Sequence, residues 1–340
     1  MNKAKSTPSQ SNGSVRVHNA HLVADNDLKI KGTLCVGGNL EVHGNLKADR
    51  IFCFGMVVVH GDIDVREMVC AAGINCDGSI VTSSVEVAFA HDDRGEVVLD
   101  WLSFAEKVQA SMLPRAKAEI GRFVVADTLI KMDKLARSHV KYDSLVAIKC
   151  RDDFKCQFVR VKRDIEVGEL FSLSHTFTGS SVSAGELMCE GSLYLENCLD
   201  VSSDVEIRGC LSVGAWIHAE NLIARGYVRA MDIVCSGSID AEGSIDVDES
   251  ITAAGTILSG GEISAGGYIK AGGFIASKTR ITAGQDYGIF AGLNHPRSAW
   301  HDRGYVCAPA LPEGVISGIY VSTRSKRPWR LKNRNYPYRA

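Results

Sequence analysis

Histidine and cysteine are the residues of this chain best suited to bind a metal or act in catalysis, and it holds ten of the first and eleven of the second. No HExxH motif, no CxxC motif and no Cys/His spacing typical of a zinc site occurs. Five cysteines fall on inward positions of the repeat described below, where free cysteine behaves as a small hydrophobic residue: Cys53, Cys76, Cys156, Cys189 and Cys235. The sequence therefore predicts no metal ligands, no catalytic residues and no cofactor.

The remaining candidates for chemistry are also better explained by structure. Glycine-rich runs such as GGEISAGGYIKAGG lack the lysine and the strand–loop–helix context of a phosphate-binding loop. His43, His60 and His218 lie beside inward positions of the repeat, so we expect them to face solvent. We expect no small-molecule substrate.

An internal repeat shows which elements position these residues. Isoleucine recurs at every sixth position from Ile233 to Ile281, a mostly small residue follows two positions later, and glycine often follows four positions later. In an extended segment, positions i and i+2 share a face, so each hexamer is a short strand with a large and a small inward side chain. Glycine is suited to the corner because it tolerates positive φ.

Three such hexamers make one triangular coil of about 18 residues, with matching strands about 4.8 Å apart. The sequence thus predicts an all-β fold, a parallel β-helix with triangular hexapeptide-type coils, one inserted α-helix and a small C-terminal cap. The same rhythm runs through residues 22–87 and 187–230 and is weaker over 124–182. The inward pairs in the less regular stretches include Val69/Ala71 and Val146/Ile148.

Breaks in the rhythm predict the domain organisation. We expect a disordered tail at 1–14, an N-terminal β-helix block at 15–88, a helical insertion at 89–122, a main β-helix block at 123–293, and a cap with a basic tail at 294–340. Within the insertion Val98, Trp101 and Leu102 begin a helical spacing that ends before Pro114. The helix most simply covers the solenoid core, and Trp101 and Phe104 are its candidate partner contacts.

The C-terminal tail is basic and aromatic. The segment 321–340 carries seven basic side chains and no acidic one, and Arg327, Trp329 and Arg330 are the candidate contacts. Such a segment suits a weak contact of residues 322–340 with an anionic membrane or nucleic acid, although a solvated tail, a packing cap or a protein contact explains it as well. The net charge of −2 gives the whole chain no such bias.

The first residues and the longest apolar runs of the sequence bear on its location. The first residues are polar and lack the apolar region of a secretory signal, and no run of 18 apolar residues occurs. We therefore expect a soluble, cytoplasmic protein.

The segments GSIDAEGSIDVD and GTLCVGGNLEVHGNLKA resemble bactofilins and related bacterial polymer-forming proteins. The resemblance implies a right-handed β-helix that assembles end to end, or laterally, into a scaffold. The expected function is therefore a non-enzymatic bacterial scaffold or self-assembling protein whose partner is itself or another protein. Two alternatives remain: a monomeric protein-binding module such as an immunity protein or inhibitor, and a hexapeptide-repeat acyltransferase with a histidine base.

Overall fold

The computed structural model of the chain describes residues 14–18, 21–53, 55–70, 72–87, 89–91, 97–99, 146–161 and 163–323. The chain divides into two compact units, Met1–Arg163 and Asp164–Ala340, called here the N-terminal unit and the C-terminal unit. Nearly all the strands described in each unit pair in parallel with a strand about one coil away, so the predicted parallel β-helix is confirmed.

The strands of the N-terminal unit are short and regularly spaced. Those in its described residues are β1 (Ser14–His18), β2 (Leu22–Ala24), β3 (Leu28–Val36), β4 (Leu40–Val42), β5 (Leu46–Cys53), β6 (Met56–Val59), β7 (Ile63–Cys70), β8 (Gly73–Cys76), β9 (Ile80–Val87), β10 (Phe89–His91), β11 (Val97–Leu99), β12 (Val146–Cys150) and β13 (Phe154–Arg160).

Three parallel stacks form the walls of this unit. The first contains β2, β4, β6, β8 and β12. The longer strands β3, β5, β7, β9 and β13 bend, so that their first halves form the second stack and their second halves, with β1, form the third. Leu22 is in register with Leu40, and Leu40 with Val57, so the second of these two coils is shorter than the first by a single residue.

Register corrects two of the predicted inward pairs. Ile51 is aligned with Met68, so the inward pair there is Met68 and Cys70 rather than Val69/Ala71. The hydrophobic pattern could not decide this, because Val69 is also buried. In β12 the pair is Ile148 and Cys150, in register with β8, rather than Val146/Ile148, because alternation alone allows a slip of two residues.

The insertion interrupts the coil without shifting the order of the stacks. β9 ends at Val87, and β12, the next parallel strand among the described residues, pairs with β8 as a continuous coil would. The predicted helix was to include Val98, but the structure places Val98 in β11, antiparallel to β10. β-branched residues, such as Val97 and Val98 of β11, favour a strand over a helix. Residues 100–122, where the rest of the predicted helix falls, lie outside the described residues.

The C-terminal unit follows the same plan over more coils. Its strands, in the part of the chain described, are β14 (Asp164–Leu173), β15 (Phe177–Gly179), β16 (Val182–Cys189), β17 (Leu193–Leu195), β18 (Leu199–Val201), β19 (Val205–Ile207), β20 (Leu211–Val213), β21 (Trp216–Ala219), β22 (Leu222–Ala224), β23 (Val228–Ala230), β24 (Asp232–Cys235), β25 (Ile239–Ala241), β26 (Ile245–Val247), β27 (Ile251–Ala253), β28 (Ile257–Ser259), β29 (Ile263–Ala265), β30 (Ile269–Ala271), β31 (Ile275–Ser277), β32 (Ile281–Thr282), β33 (Ile289–Phe290), β34 (Tyr305–Ala308), β35 (Val315–Ser317) and β36 (Ile319–Ser322).

The repeated isoleucines form the core of this unit. Ile233 is in register with Ile251 and Ile269, and the other isoleucines of the repeat stack in the same way on the remaining two walls. Each is at most 2% exposed. Burying one such side chain contributes about 1.5–3 kcal/mol, so the repeat is itself the main source of stability here.

The hexapeptide rhythm stops after Ala291, yet the coil continues. A short excursion contains a 3-10 turn (Arg297–Ala299) and the helix α1 (Trp300–Arg303), and the Trp300 indole N–H lies 3.2 Å from the Gly292 carbonyl oxygen. The chain then returns as β34 on β31, and β35 and β36 add to β33 and β34. The segment predicted as a cap is thus part of the solenoid as far as Ser322.

The glycines at the corners are present for a different reason from the one predicted. Among the described residues, glycine has positive φ at Gly32, Gly292, Gly314 and Gly318. Gly32 follows the inward Leu28 by four positions, but no corner glycine of the regular repeat between Ile233 and Ile281 has positive φ, so the argument from positive φ was wrong for that repeat. A Cβ on Gly255 would instead lie 2.3 Å from the Ser238 Oγ of the neighbouring coil. The corners therefore need glycine because adjacent coils approach too closely for a side chain.

Polar side chains at the corners hold neighbouring coils together. The Ser238 N–H donates to Asn221 Oδ1 at 2.8 Å, and the Thr256 N–H donates to Ser238 Oγ at 3.0 Å. The N-terminal unit repeats this arrangement, because Asp27, Asn45 and Asp62 each accept a backbone N–H from the next coil. These bonds satisfy backbone donors where the strand ladder is interrupted.

Within the residues that the structure describes, no helix has both the length and the apolar character needed to cross a bilayer.

Candidate functional sites

The predicted partner contacts fall outside the part of the chain that the structure describes. This applies to Trp101 and Phe104 in the insertion and to Arg327, Trp329 and Arg330 in the basic tail. Their roles stay predictions. The described residues of the two units contain other candidate sites.

Exposed apolar side chains concentrate in the last coil of the C-terminal unit. Ile316 is 68% exposed, Leu311 62% and Tyr287 54%. A Cβ on Gly288 would lie 2.6 Å from Ile316 Cγ1 and 2.9 Å from Phe290 Cε2, so Ile316 and Phe290 flank the same backbone position. We call Tyr287, Phe290 and Ile316 the terminal surface. Exposed apolar clusters of this kind mark interaction sites in many proteins.

The core of the same coil is partly open. Val315 is aligned with Ile289, and Tyr320 with Val306. Val315 and Tyr320, in the last coil, are half-buried, whereas Ile289 and Val306, one coil earlier, are fully buried. Among the described residues, β35 pairs only with β33 and β36 only with β34. The last coil therefore offers a strand edge beside an exposed apolar surface.

A second apolar cluster lies on one wall of the C-terminal unit. Trp216, Met231 and Val234 are 46%, 43% and 40% exposed. Trp216 belongs to β21 and Val234 to the adjacent β24, where His218 is in register with Val234. The Met231 N–H donates to the Ala215 carbonyl oxygen at 2.8 Å, which places Met231 beside Trp216. We call Trp216, Met231 and Val234 the lateral patch.

One corner of the N-terminal unit brings two histidines and two carboxylates together. Glu41 points outward from β4, and His43 follows two positions later on the same side. His60 occupies the matching position of the next coil, because its N–H donates to the Val42 carbonyl oxygen, and Asp77 occupies the matching position one coil further on. We call Glu41, His43, His60 and Asp77 the corner cluster.

Solvent exposure of these histidines was predicted correctly, but their proximity was missed. The side chains of His43 and His60 are 46% and 44% exposed, and their ring centroids lie 5.3 Å apart. The sequence does contain a signal for this contact. EVHGN and VVHGD place the two histidines at the same separation as the aligned residues Leu40 and Val57, which is one shortened coil. A coil of constant length, as in the regular repeat, does not align them.

A shallow groove of about 610 Å³ follows the bend of the long strands in the N-terminal unit. Lys29, Lys31, Lys47 and Arg66 line it together with Asp64 and other residues. Lys47 forms an ion pair with Asp64, and both are well exposed, so the groove is a solvated polar surface.

The cysteines at inward positions are buried, as predicted. None of the eleven cysteines forms a disulfide, and Cys53, Cys76, Cys156, Cys189 and Cys235 are each at most 5% exposed. Burial raises the pKa of Cys53, Cys156 and Cys235 to about 12, so these thiols stay protonated at neutral pH. Cys150 stacks on Cys76, and the hydrogen bond between the two thiols, followed by burial, raises the pKa of Cys150. A protonated thiol is a poor nucleophile.

No protein-family model, no curated protein and no solved structure matches this chain.

Proposed function

We propose that this protein is a non-catalytic β-solenoid scaffold that associates with further copies of itself through its last coil. The observation that carries the proposal is the combination, in residues 287–322, of the exposed terminal surface with the outer edge of β35 and β36. A parallel strand edge provides donors and acceptors in the register that another coil requires. The apolar side chains beside it supply hydrophobic area that a second copy would bury.

The cysteines support a cytoplasmic location for such a scaffold. Eleven cysteines without a disulfide, most of them buried, are typical of a reducing compartment, because oxidising compartments favour disulfides. The resemblance to bactofilins supports the same proposal, and a bacterial source and a right-handed coil are parts of it.

The experiment compares self-association of the full chain with that of Ile316→Asp. Burying an isoleucine contributes about 1.5–3 kcal/mol, and the carboxylate adds a desolvation penalty. We therefore expect at least a tenfold weaker association constant by sedimentation velocity, with an unchanged melting temperature because Ile316 is mostly exposed.

Met231→Asp is the matched control, since Met231 is an exposed apolar residue of the same unit but belongs to the lateral patch. It should associate like the unmodified chain. If Met231→Asp weakens association and Ile316→Asp does not, the last coil is not the interface.

The lateral patch favours a second candidate, a binding module for another protein. Trp216 and Met231 are of the residue types enriched at protein interfaces, and they lie on a flat wall. In this case the chain would stay monomeric at every concentration. Binding of the native partner, isolated with the unmodified chain, would be lost in Met231→Asp and kept in Ile316→Asp.

A further inference from the structure

Two histidines and a carboxylate of the corner cluster are spaced as ligands of a single ion. Glu41 Oε1 lies 3.2 Å from His43 Nε2 and 3.7 Å from His60 Nε2. One ligating atom from each of the three residues can be chosen so that all lie within 4.8 Å of one another. In a tetrahedral zinc site with bonds of about 2.0–2.1 Å, neighbouring ligand atoms are about 3.3–3.4 Å apart. The observed distances need only small side-chain adjustments to meet that geometry.

Asp77 orients one of these histidines. Asp77 Oδ2 lies 2.7 Å from His60 Nδ1, while His60 Nε2 faces Glu41. When the N–H of a neutral imidazole is on Nδ1 and donates to Asp77, the Nε2 lone pair lies on the side of Glu41 and is available to bind a metal ion. A histidine held by a carboxylate on one nitrogen and by a metal on the other is a recurrent arrangement in metal sites.

The backbone holds the ligands in place without the help of a loop. Glu41 and His43 are two positions apart at the end of one strand, and the His60 N–H donates to the Val42 carbonyl oxygen at 2.9 Å. Immediately after the histidines, the Asp62 N–H donates to Asn45 Oδ1 at 2.8 Å. The spacing of the rings is thus set by the coil itself, which reduces the ordering entropy that a flexible site would lose on binding.

We propose that Glu41, His43 and His60 bind one divalent cation of the zinc class, with Asp77 as the positioning residue for His60. Two imidazole nitrogens and one carboxylate suit Zn²⁺, Ni²⁺, Co²⁺ or Cu²⁺, whereas Mg²⁺ and Ca²⁺ prefer an all-oxygen set. The described residues supply three ligands, and their exposure leaves a fourth position for water or for a group from another molecule.

The test titrates the full chain, without a histidine tag and stripped of metal by a chelator, with ZnCl₂ in competition with a chromophoric chelator. We expect one zinc ion per chain at this site, and at least tenfold weaker binding in His43→Ala and in His60→Ala. Asp77→Asn should weaken binding by about 10- to 100-fold, the usual effect of removing a carboxylate that orients a histidine ligand. His218→Ala, an exposed histidine of the C-terminal unit, should bind zinc like the unmodified chain.

Cobalt distinguishes this site from the cysteines. The Co²⁺ complex should show ligand-field bands of a nitrogen and oxygen donor set and no thiolate charge-transfer band. Circular dichroism melting verifies that each variant is folded. If His60→Ala does not fold, His60→Asn is used in its place. Equal zinc affinity in the unmodified chain and the folded His43 and His60 variants would overturn the proposal. So would a thiolate spectrum, or the absence of saturable zinc binding.

Discussion

At the scale of single residues, burial decides the chemistry of the cysteines. Cys235 is 2% exposed and lies in a column between Ala219 and Ala253, and burial raises its pKa to about 12. The ordinary value for cysteine is about 8.5, so the unfolded chain loses this proton at a lower pH than the folded chain does. Between these two values the unfolded state binds fewer protons. The free energy of unfolding therefore falls as the pH rises through this window.

Cys235→Ala tests this linkage with little disturbance, because alanine already occupies both neighbouring positions of the column. Each buried thiol contributes a slope of about 1.4 kcal/mol per pH unit above pH ~9, and the substitution removes one such contribution. Urea denaturation of the C-terminal unit at several values between pH 8 and pH 10.5 measures the slope. The same pH dependence in the variant and in the unmodified chain would show that Cys235 is not held as a thiol.

At the scale of the element, a corner of the coil restricts which side chains fit as strongly as an inward position of a strand does. A Cβ on Gly266 would lie 2.1 Å from the Asp248 carbonyl oxygen, which is backbone of the neighbouring coil and cannot move independently. A Cβ on Gly273 would instead meet the Thr256 Cγ2 methyl at 2.9 Å, and a side chain can shift. A side chain at Gly266 would thus clash with backbone of the neighbouring coil, whereas one at Gly273 would first meet a side chain.

Gly266→Ala should therefore lower the free energy of unfolding by at least about 2 kcal/mol, in the upper part of the range for overpacked sites. Gly273→Ala is the matched control and should cost clearly less, because the closest contact is a side-chain methyl group and the nearest backbone atom, the Gly255 carbonyl oxygen, lies at 3.2 Å rather than 2.1 Å. Chemical denaturation of both variants gives the comparison. Equal losses would mean that the spacing of the coils adjusts more freely than the structure indicates.

The strands could be predicted from the sequence wherever the coil length is constant. Isoleucine at every sixth position fixes which side chains point inward, so the walls around Ile251 followed directly from the pattern. Where the coil shortens by a single residue, register depends on which strand lies above. Two adjacent apolar residues such as Met68 and Val69 then cannot be distinguished by hydrophobicity.

The candidate sites were harder to predict for the same reason. The contact between His43 and His60 exists because one shortened coil places them directly after the adjacent strands β4 and β6, and the similar segments EVHGN and VVHGD indicate it only once the length of that coil is known. The last coil was missed as a coil because the excursion through α1 separates Ile289 from its next strand by more than the usual repeat. Sequence periodicity predicts the inner ladder, whereas the proposed sites lie on the outer surface and in the last coil.

At the scale of the whole molecule, the open last coil allows self-association. A solenoid can extend by adding coils, and a second copy placed on β35 and β36 would continue the hydrogen-bonding pattern of both stacks while covering Val315 and Tyr320. Because the two contacting surfaces would differ, such an interface is heterologous and allows growth beyond a dimer.

The most direct measurement is sedimentation velocity of the unmodified full chain over a wide range of protein concentrations at two salt concentrations. The account predicts a sedimentation coefficient that rises with concentration and species larger than a dimer, with little effect of salt because the terminal surface is apolar. A single monomeric species at every concentration and salt would contradict it.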